Sequence, residues 1–183
     1  DDEVDALIVV MDEAPELPGT PISRSGEGVA TAPLVDVGLA LPQDIPAEGL
    51  AGQVALIHRG EVTFEEKVLR VQEAGAVGAI IYNNLPGPFR GSMITESVIP
   101  AITVSQESGD SLTELMEAGE VEVTVSVVIE TFNSRNVIAD KPGTDPDAGT
   151  VVIGAHFDTV PDVQGANDNG SGVSVLMTLA NEI

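Results

Sequence analysis

The chain has 183 residues, enough for one domain with part of another or for two small domains. Its formal net charge is −23, from 30 acidic residues against 7 lysines and arginines. So acidic a surface repels nucleic acid and anionic lipid, and neither is expected as a partner. There are no cysteines, so any metal has to be held by His, Asp or Glu. No apolar run reaches the roughly 18 residues that span a bilayer, and no transmembrane segment is expected.

Short apolar runs rich in β-branched residues predict strands over residues 4–11, 32–40 and 53–57. The stretch between the first two, up to about Gly28, is rich in Pro, Gly and Glu and is predicted to be a loop. Because only 3% of the residues are aromatic, the core has to be built mainly from Val, Ile, Leu and Ala.

The first helix is predicted to begin after Thr63. Thr63 is followed three residues later by Glu66, which is the pattern of a capping box, and apolar residues recur at helical spacing up to Gly75. A buried-strand pattern follows over 77–82. The succession of strand, helix and strand over 53–82 therefore resembles a βαβ unit, in which the two strands are parallel.

The next elements are a strand, a helix and a second strand. The strand is predicted over 98–104, with Pro100 at an edge or a bulge because proline has no N–H to donate. Apolar residues at helical spacing predict a helix over 108–118. From 121 to 127 valine alternates with polar residues, which is the pattern of a half-buried strand.

We expect two domains, residues 1–131 and residues 132–183. The second begins with a moderate strand pattern over 133–140 and a loop rich in Pro, Gly and Asp. A buried-strand pattern over 150–155 and a helical pattern over 173–183 follow.

His156, Asp158 and Asp168 are the strongest candidates for chemistry. His156 and Asp158 end the predicted strand, and because side chains alternate along a strand, the two point to the same face. One can then bind a metal while the other orients it. Asp168 lies just ahead of the predicted helix, where unpaired N–H groups favour an ionised carboxylate. Such a carboxylate can bridge two cations about 3.5–4 Å apart.

The motifs around these residues resemble the start of the catalytic domain in the aminopeptidase Y and bacterial leucyl aminopeptidase family. They are GAHFDTVP over 154–161 and GANDNGSG over 165–172. The resemblance implies two zinc ions, with His156 as a ligand of one, Asp168 as a bridge between both, and Asp158 as the residue that orients His156.

The resemblance also implies that Asn169 follows Asp168 across a cis peptide bond. The family places two adjacent glutamates, a further carboxylate and a second histidine downstream of Ile183. Only His156 and Asp168 are direct ligands here, whereas a catalytic zinc generally takes three. We therefore expect residues 1–183 alone to bind zinc weakly and to be inactive, and the remainder of the peptidase domain to be required.

A second resemblance covers most of the rest. The sequences GQVALIHRG over 52–60, AGAVGAIIYNN over 74–84 and IPAITVS over 99–105 look like a protease-associated domain. The resemblance implies a small β-barrel or sandwich with flanking helices. The expected fold class is therefore α/β, with this domain joined to a partial strand-loop-helix of a zinc-peptidase sheet.

His58, Arg59 and Lys67 lie within the protease-associated part. A basic pair after a strand and a lone lysine on a helix are usually solvated. We expect these three side chains to be solvated and to have no catalytic role.

The two resemblances together imply part of a zinc aminopeptidase that hydrolyses N-terminal peptide bonds of peptides or proteins, outside the cell or in its envelope. The protease-associated domain would modulate substrate access or partner binding. One alternative is a non-catalytic interaction module, because such domains also occur in sorting receptors and membrane-bound ubiquitin ligases. Another is a related dinuclear carboxypeptidase, because the pocket residues that select the end of the substrate lie outside these motifs.

Overall fold

The computed structural model describes residues 4–10, 17–129, 135–145, 147–159 and 163–182. By its internal contacts the chain divides into two compact units, Asp1–Arg135 and Asn136–Ile183. In the described ranges, no helix is both long enough and apolar enough to cross a membrane.

The described residues of the first unit form seven strands: β1 (Val4–Val10), β2 (Leu17–Pro21), β3 (Gly28–Asp36), β4 (Val54–His58), β5 (Gly78–Tyr82), β6 (Ala101–Val104) and β7 (Glu122–Ile129). They make a closed barrel in the order β1-β2-β6-β5-β4-β3-β7, and β7 completes the ring by pairing with β1. Strands β3 to β6 pair in parallel, and the other pairs are antiparallel.

The described part of this unit also contains two helices, α1 (Phe64–Glu73) and α2 (Gln106–Ala118). At the start of α1, the Thr63 hydroxyl accepts a hydrogen bond from Glu66 N at 3.2 Å, and the Glu66 carboxylate accepts one from Thr63 N at 3.1 Å. The predicted capping box is therefore confirmed. Strands β4 and β5, which flank α1 in the sequence, are parallel, so the predicted βαβ pairing is confirmed as well.

Two apolar clusters form the core. Ala55 and Ile57 of β4 belong to the cluster that includes Val68 of α1, whereas Leu56 belongs to the cluster that includes Leu112 of α2. Adjacent residues of β4 thus serve different clusters, which explains why this strand is a continuous apolar run. In β7, by contrast, buried and less buried residues alternate as predicted.

Strand β2 lies in a stretch that we expected to be a loop. Leu17–Pro21 contains two prolines and a glycine, which locally disfavour a strand. It forms nevertheless because it pairs with both β1 and β6. Strand β6 begins at Ala101, directly after Pro100, so the proline N is not needed as a donor in the ladder.

Lys67 is fully buried, and the expectation that it is solvated is wrong. Its Nζ donates to the backbone oxygens of Leu39 at 2.6 Å and His58 at 3.0 Å. Nearby, Arg70 Nη1 donates to Ala40 O at 2.6 Å. The two side chains tie α1 to the loop after β3, and burial lowers the pKa of Lys67.

The second unit contains one helix among its described residues, α3 (Ser171–Glu182), which confirms the helix predicted there. A π-type turn, Ala166–Gly170, leads into it. No strand forms over 150–155, where Val151 and Val152 are 82% and 88% exposed. A strand needs a hydrogen-bonded neighbour, and the described part of this unit contains no other strand.

The strand predicted over 133–140 is likewise absent from 135–140, where the structure shows no regular element. Residues 133–134 lie outside the described residues. The same physical reason applies, because a sequence favourable to a strand forms one only where a partner strand accepts its hydrogen bonds.

Helix α2 contacts β5 where Gly109 packs against Tyr82. A substitution at Gly109 therefore tests this packing. A Cβ atom at Gly109 would lie 2.3 Å from Tyr82 Cγ and 2.4 Å from Tyr82 Cβ. These atoms are near the backbone, so rotation of the ring does not relieve the contact. We expect Gly109→Ala to lower the free energy of unfolding by about 1–3 kcal/mol, although alanine favours a helix.

Chemical denaturation followed by circular dichroism measures this change. Ser111→Ala, at an exposed position of the same helix, is the matched control and is expected to change stability by less than about 0.5 kcal/mol. Equal losses in the two variants would contradict the proposed contact.

Candidate metal centre

His156, Asp158 and Asp168 lie together in the second unit. His156 Nδ1 is 3.1 Å from Asp158 Oδ1, and His156 Nε2 is 3.2 Å from Asp168 Oδ1. The imidazole thus stands between two carboxylates, one contributed by its own segment and one by the turn before α3. The structure brings all three candidate residues together, while the roles assigned to them stay a prediction.

The hydrogen bonds of His156 determine its tautomer. Nδ1 faces two acceptors, the backbone oxygen and the carboxylate of Asp158, each at 3.1 Å. Nδ1 therefore carries a proton and donates it. In a neutral imidazole Nε2 then presents a lone pair to the carboxylate of Asp168. Two electron-rich atoms at this separation are stabilised by positive charge between them, either a proton or a metal ion.

The observed separation suits zinc. Zinc binds imidazole nitrogen and carboxylate oxygen at about 2.0–2.2 Å, so two tetrahedral ligands lie about 3.4 Å apart. His156 Nε2 and Asp168 Oδ1 are 3.2 Å apart. The bond from Nδ1 to Asp158 also matches the usual arrangement of a metal-bound histidine, in which a second hydrogen bond fixes the ring. The residues present therefore fit two zinc ligands and one orienting residue.

This ligand set is partial and open to solvent. The side chains of His156 and Asp168 are 53% and 87% exposed. Among the residues that the structure describes, no group of three or more His, Asp or Glu side chains is placed to hold a metal ion. A catalytic zinc generally takes three protein ligands and a water molecule, so further ligands are needed.

The turn that carries Asp168 is held by hydrogen bonds of its own. Gly170 N donates to Gly165 O at 2.9 Å, and Gly172 N donates to Asn169 Oδ1 at 3.1 Å. The peptide bond between Asp168 and Asn169 is cis, as the resemblance implied. The bond from Gly172 N to Asn169 Oδ1 could have been predicted, because an Asn just before a helix is a known capping signal.

The first unit contains a separate polar cluster at the ends of β4 and β5. His58 stacks on Tyr82 with ring centroids 4.7 Å apart. Arg59 lies over the ring of Phe89 at 4.7 Å and donates to Asn83 Oδ1 at 2.9 Å. His58 and Arg59 are thus half-buried and packed, more than the sequence suggested.

Two family models match the chain. The model of the PA domain matches residues 30–112, and that of peptidase family M28 matches residues 136–183. The chain is thus similar to a PA domain followed by part of an M28 peptidase domain. The PA domain match lies within the barrel unit, and the M28 match coincides with the second unit.

Several proteins that the chain is similar to are aminopeptidases. Leucine aminopeptidase 2 of Trichophyton equinum is 39% identical over 140 residues, which are 74% of this chain and 28% of that protein. Aminopeptidase YwaD of Bacillus subtilis is 37% identical over 157 residues, 82% of this chain and 33% of that protein. The solved structure of BSAP, a zinc aminopeptidase from Bacillus subtilis, has a TM-score of 0.74 and 31% identity, covering 95% of this chain and 43% of its own. The chain thus spans about a third of the curated relatives.

The contacts of His156 predict its titration. The hydrogen bond to the backbone oxygen of Asp158 raises the pKa of His156, burial opposes this, and the carboxylates of Asp158 and Asp168 add to it. We expect a midpoint above the ordinary value of about 6.5 in metal-free protein. Asp158→Asn is expected to lower this titration midpoint only in part, because the backbone oxygen of residue 158 still accepts a hydrogen bond from His156. NMR signals of the His156 imidazole, followed against pH in the wild-type protein and in Asp158→Asn, measure the two midpoints.

The raised pKa of His156 also makes the stability of the fold depend on pH. A histidine whose pKa is raised by folding stabilises the folded state at pH values below its unfolded pKa, and this stabilisation is lost as pH rises through its folded pKa. Zinc binding behaves in the opposite way, because the metal competes with the proton on Nε2 and binds more tightly as pH rises. A His156 midpoint below 6.5 in the metal-free protein would contradict this geometry.

Proposed function

We propose that this chain is part of a zinc-dependent aminopeptidase that hydrolyses the N-terminal peptide bond of peptides or proteins. The observation that carries the proposal is the placement of His156 Nε2 beside Asp168 Oδ1, with Asp158 holding the opposite ring nitrogen. The match to family M28 and the aminopeptidase relatives support it.

Each residue has a distinct part in the proposed site. In this proposal His156 would hold zinc through Nε2, and the carboxylate of Asp168 would serve as a ligand shared by both ions. Asp158 keeps the proton on Nδ1, so that Nε2 stays free to bind metal. Zinc, when bound, polarises the scissile carbonyl and lowers the pKa of a bound water from about 15.7 toward about 7. The remaining ligands and the general base are expected in the rest of the peptidase domain.

The PA domain contributes in this proposal by modulating substrate access or partner binding, and the protein acts outside the cell or in its envelope. An interaction module without catalysis is the weaker reading, because binding alone gives no reason for an imidazole fixed between two carboxylates. Residues 1–183 alone are proposed to bind zinc weakly and to lack activity, since His156 and Asp168 are the two direct ligands proposed among the described residues.

The test uses the full-length protein loaded with zinc. We expect cleavage of aminoacyl p-nitroanilides and no cleavage when the amino terminus is acetylated. Asp168→Ala removes the bridging ligand, so the loss in kcat/KM is expected to exceed the roughly 100-fold that loss of an outer hydrogen bond costs. Asp140→Ala, an exposed aspartate of the same unit, is the matched control and should retain activity.

Two results would count against the proposal. Wild-type activity in Asp168→Ala would remove the metal bridge from the mechanism. Preferential cleavage of substrates with a free carboxyl terminus would identify a carboxypeptidase instead.

A further inference from the structure

We propose that Asn169 is a positioning residue for the zinc bridge: its side chain caps α3 at Gly172 and thereby fixes the backbone that carries Asp168. This inference rests on the proposed function, because it concerns a zinc ligand. Asn169 itself is not a proposed zinc ligand.

The carboxylate of Asp168 needs such support. Its side chain is 87% exposed, so packing contributes little to its position. Its carboxylate lies 3.2 Å from His156 Nε2, an atom of the other proposed ligand. The backbone of Asp168 and Asn169 is not helical, with φ −116 and ψ 91 at the first residue and φ −130 and ψ 35 at the second. The helix therefore does not fix this backbone by its own hydrogen bonds.

Asn169 connects this backbone to the helix. Its Oδ1 accepts a hydrogen bond from Gly172 N at 3.1 Å. The N–H groups in the first turn of a helix have no partner within the helix, and an Asn side chain is among the best acceptors for them. Because Asn169 is the residue directly after Asp168, holding its side chain on the helix restrains the position of the carboxylate next to it.

Gly172 makes room for this bond. A Cβ atom at Gly172 would lie 2.3 Å from Asn169 Oδ1 and 2.8 Å from Asn169 Cγ. Glycine weakens a helix, so its presence in the first turn of α3 needs a reason. The reason is that any larger residue would displace the Asn169 side chain from its capping position.

The backbone at the start of the turn, at Gly165, is restrained as well. Gly165 has φ +64, which favours glycine, and its backbone oxygen accepts from Gly170 N at 2.9 Å. A Cβ atom there would lie 3.0 Å from Thr159 Cβ and 3.3 Å from Asp168 O. Ser171 Oγ also donates to Asn167 O at 2.7 Å. The turn is thus held on both sides of Asp168, and Asn169 provides the side-chain bond to α3.

The experiment measures zinc affinity of the full-length protein by competition with a chromophoric chelator. Asn169→Ala is expected to weaken zinc binding by about 10–100-fold, the usual effect of losing an outer hydrogen-bonding partner. Asn169→Asp keeps an acceptor oxygen at the same place and should retain wild-type affinity. Asn181→Ala, in the last turn of the same helix, is the matched control and should also retain it.

A double mutant distinguishes the positioning role of Asn169 from an unrelated structural effect of the substitutions. Gly172→Ala alone is expected to weaken zinc binding as Asn169→Ala does, because it displaces the same side chain. In the Asn169→Ala background the added methyl group meets no amide, so Gly172→Ala should cause no further loss. Additive losses from the two changes would overturn the inference, because independent effects add and a shared contact does not.

The outcomes distinguish the two proposals. If the wild-type protein binds zinc and Asn169→Ala binds it equally well, the positioning role is overturned while the proposed function stands. If the wild-type protein does not bind zinc at all, the proposed function fails, and the positioning role fails with it.

Discussion

His156 is held between two carboxylates, and every functional inference depends on that placement. The bond from Nδ1 to Asp158 leaves Nε2 as a lone-pair donor directed at Asp168, 3.2 Å away. A neutral imidazole and a carboxylate do not stabilise each other in this orientation, so the pair favours a cation between them. The cap of Asn169 on α3 restrains the carboxylate, and the hydrogen bonds to Asp158 restrain the imidazole.

The sequence predicts the barrel unit well where a pattern is local. The capping box at Thr63 depends on two residues three positions apart, and alternation in β7 depends on adjacent residues. Strand β2 could not be predicted because its own sequence disfavours a strand and it forms by pairing with β1 and with β6, which lies far from it in the sequence. Burial of Lys67 could not be predicted either, since its acceptors are backbone oxygens of residues far from it in the sequence.

The order of residues along the chain indicates the candidate site residues, but not the hydrogen bonds that hold them in place. The sequence indicates His156, Asp158 and Asp168, whereas the distances between them require the turn before α3. The strand expected over 150–155 is absent, and Val152 and Met177 are 88% and 67% exposed. Under the proposed function, the rest of the peptidase domain would cover these exposed apolar side chains.

The most direct test is a crystal structure of the full-length, zinc-loaded protein with anomalous data collected at the zinc edge. Two peaks are predicted, one of them at about 2.0–2.2 Å from both His156 Nε2 and a carboxylate oxygen of Asp168. The second peak should share Asp168 as a ligand. Zinc bound elsewhere, with none beside His156, would contradict the central claim.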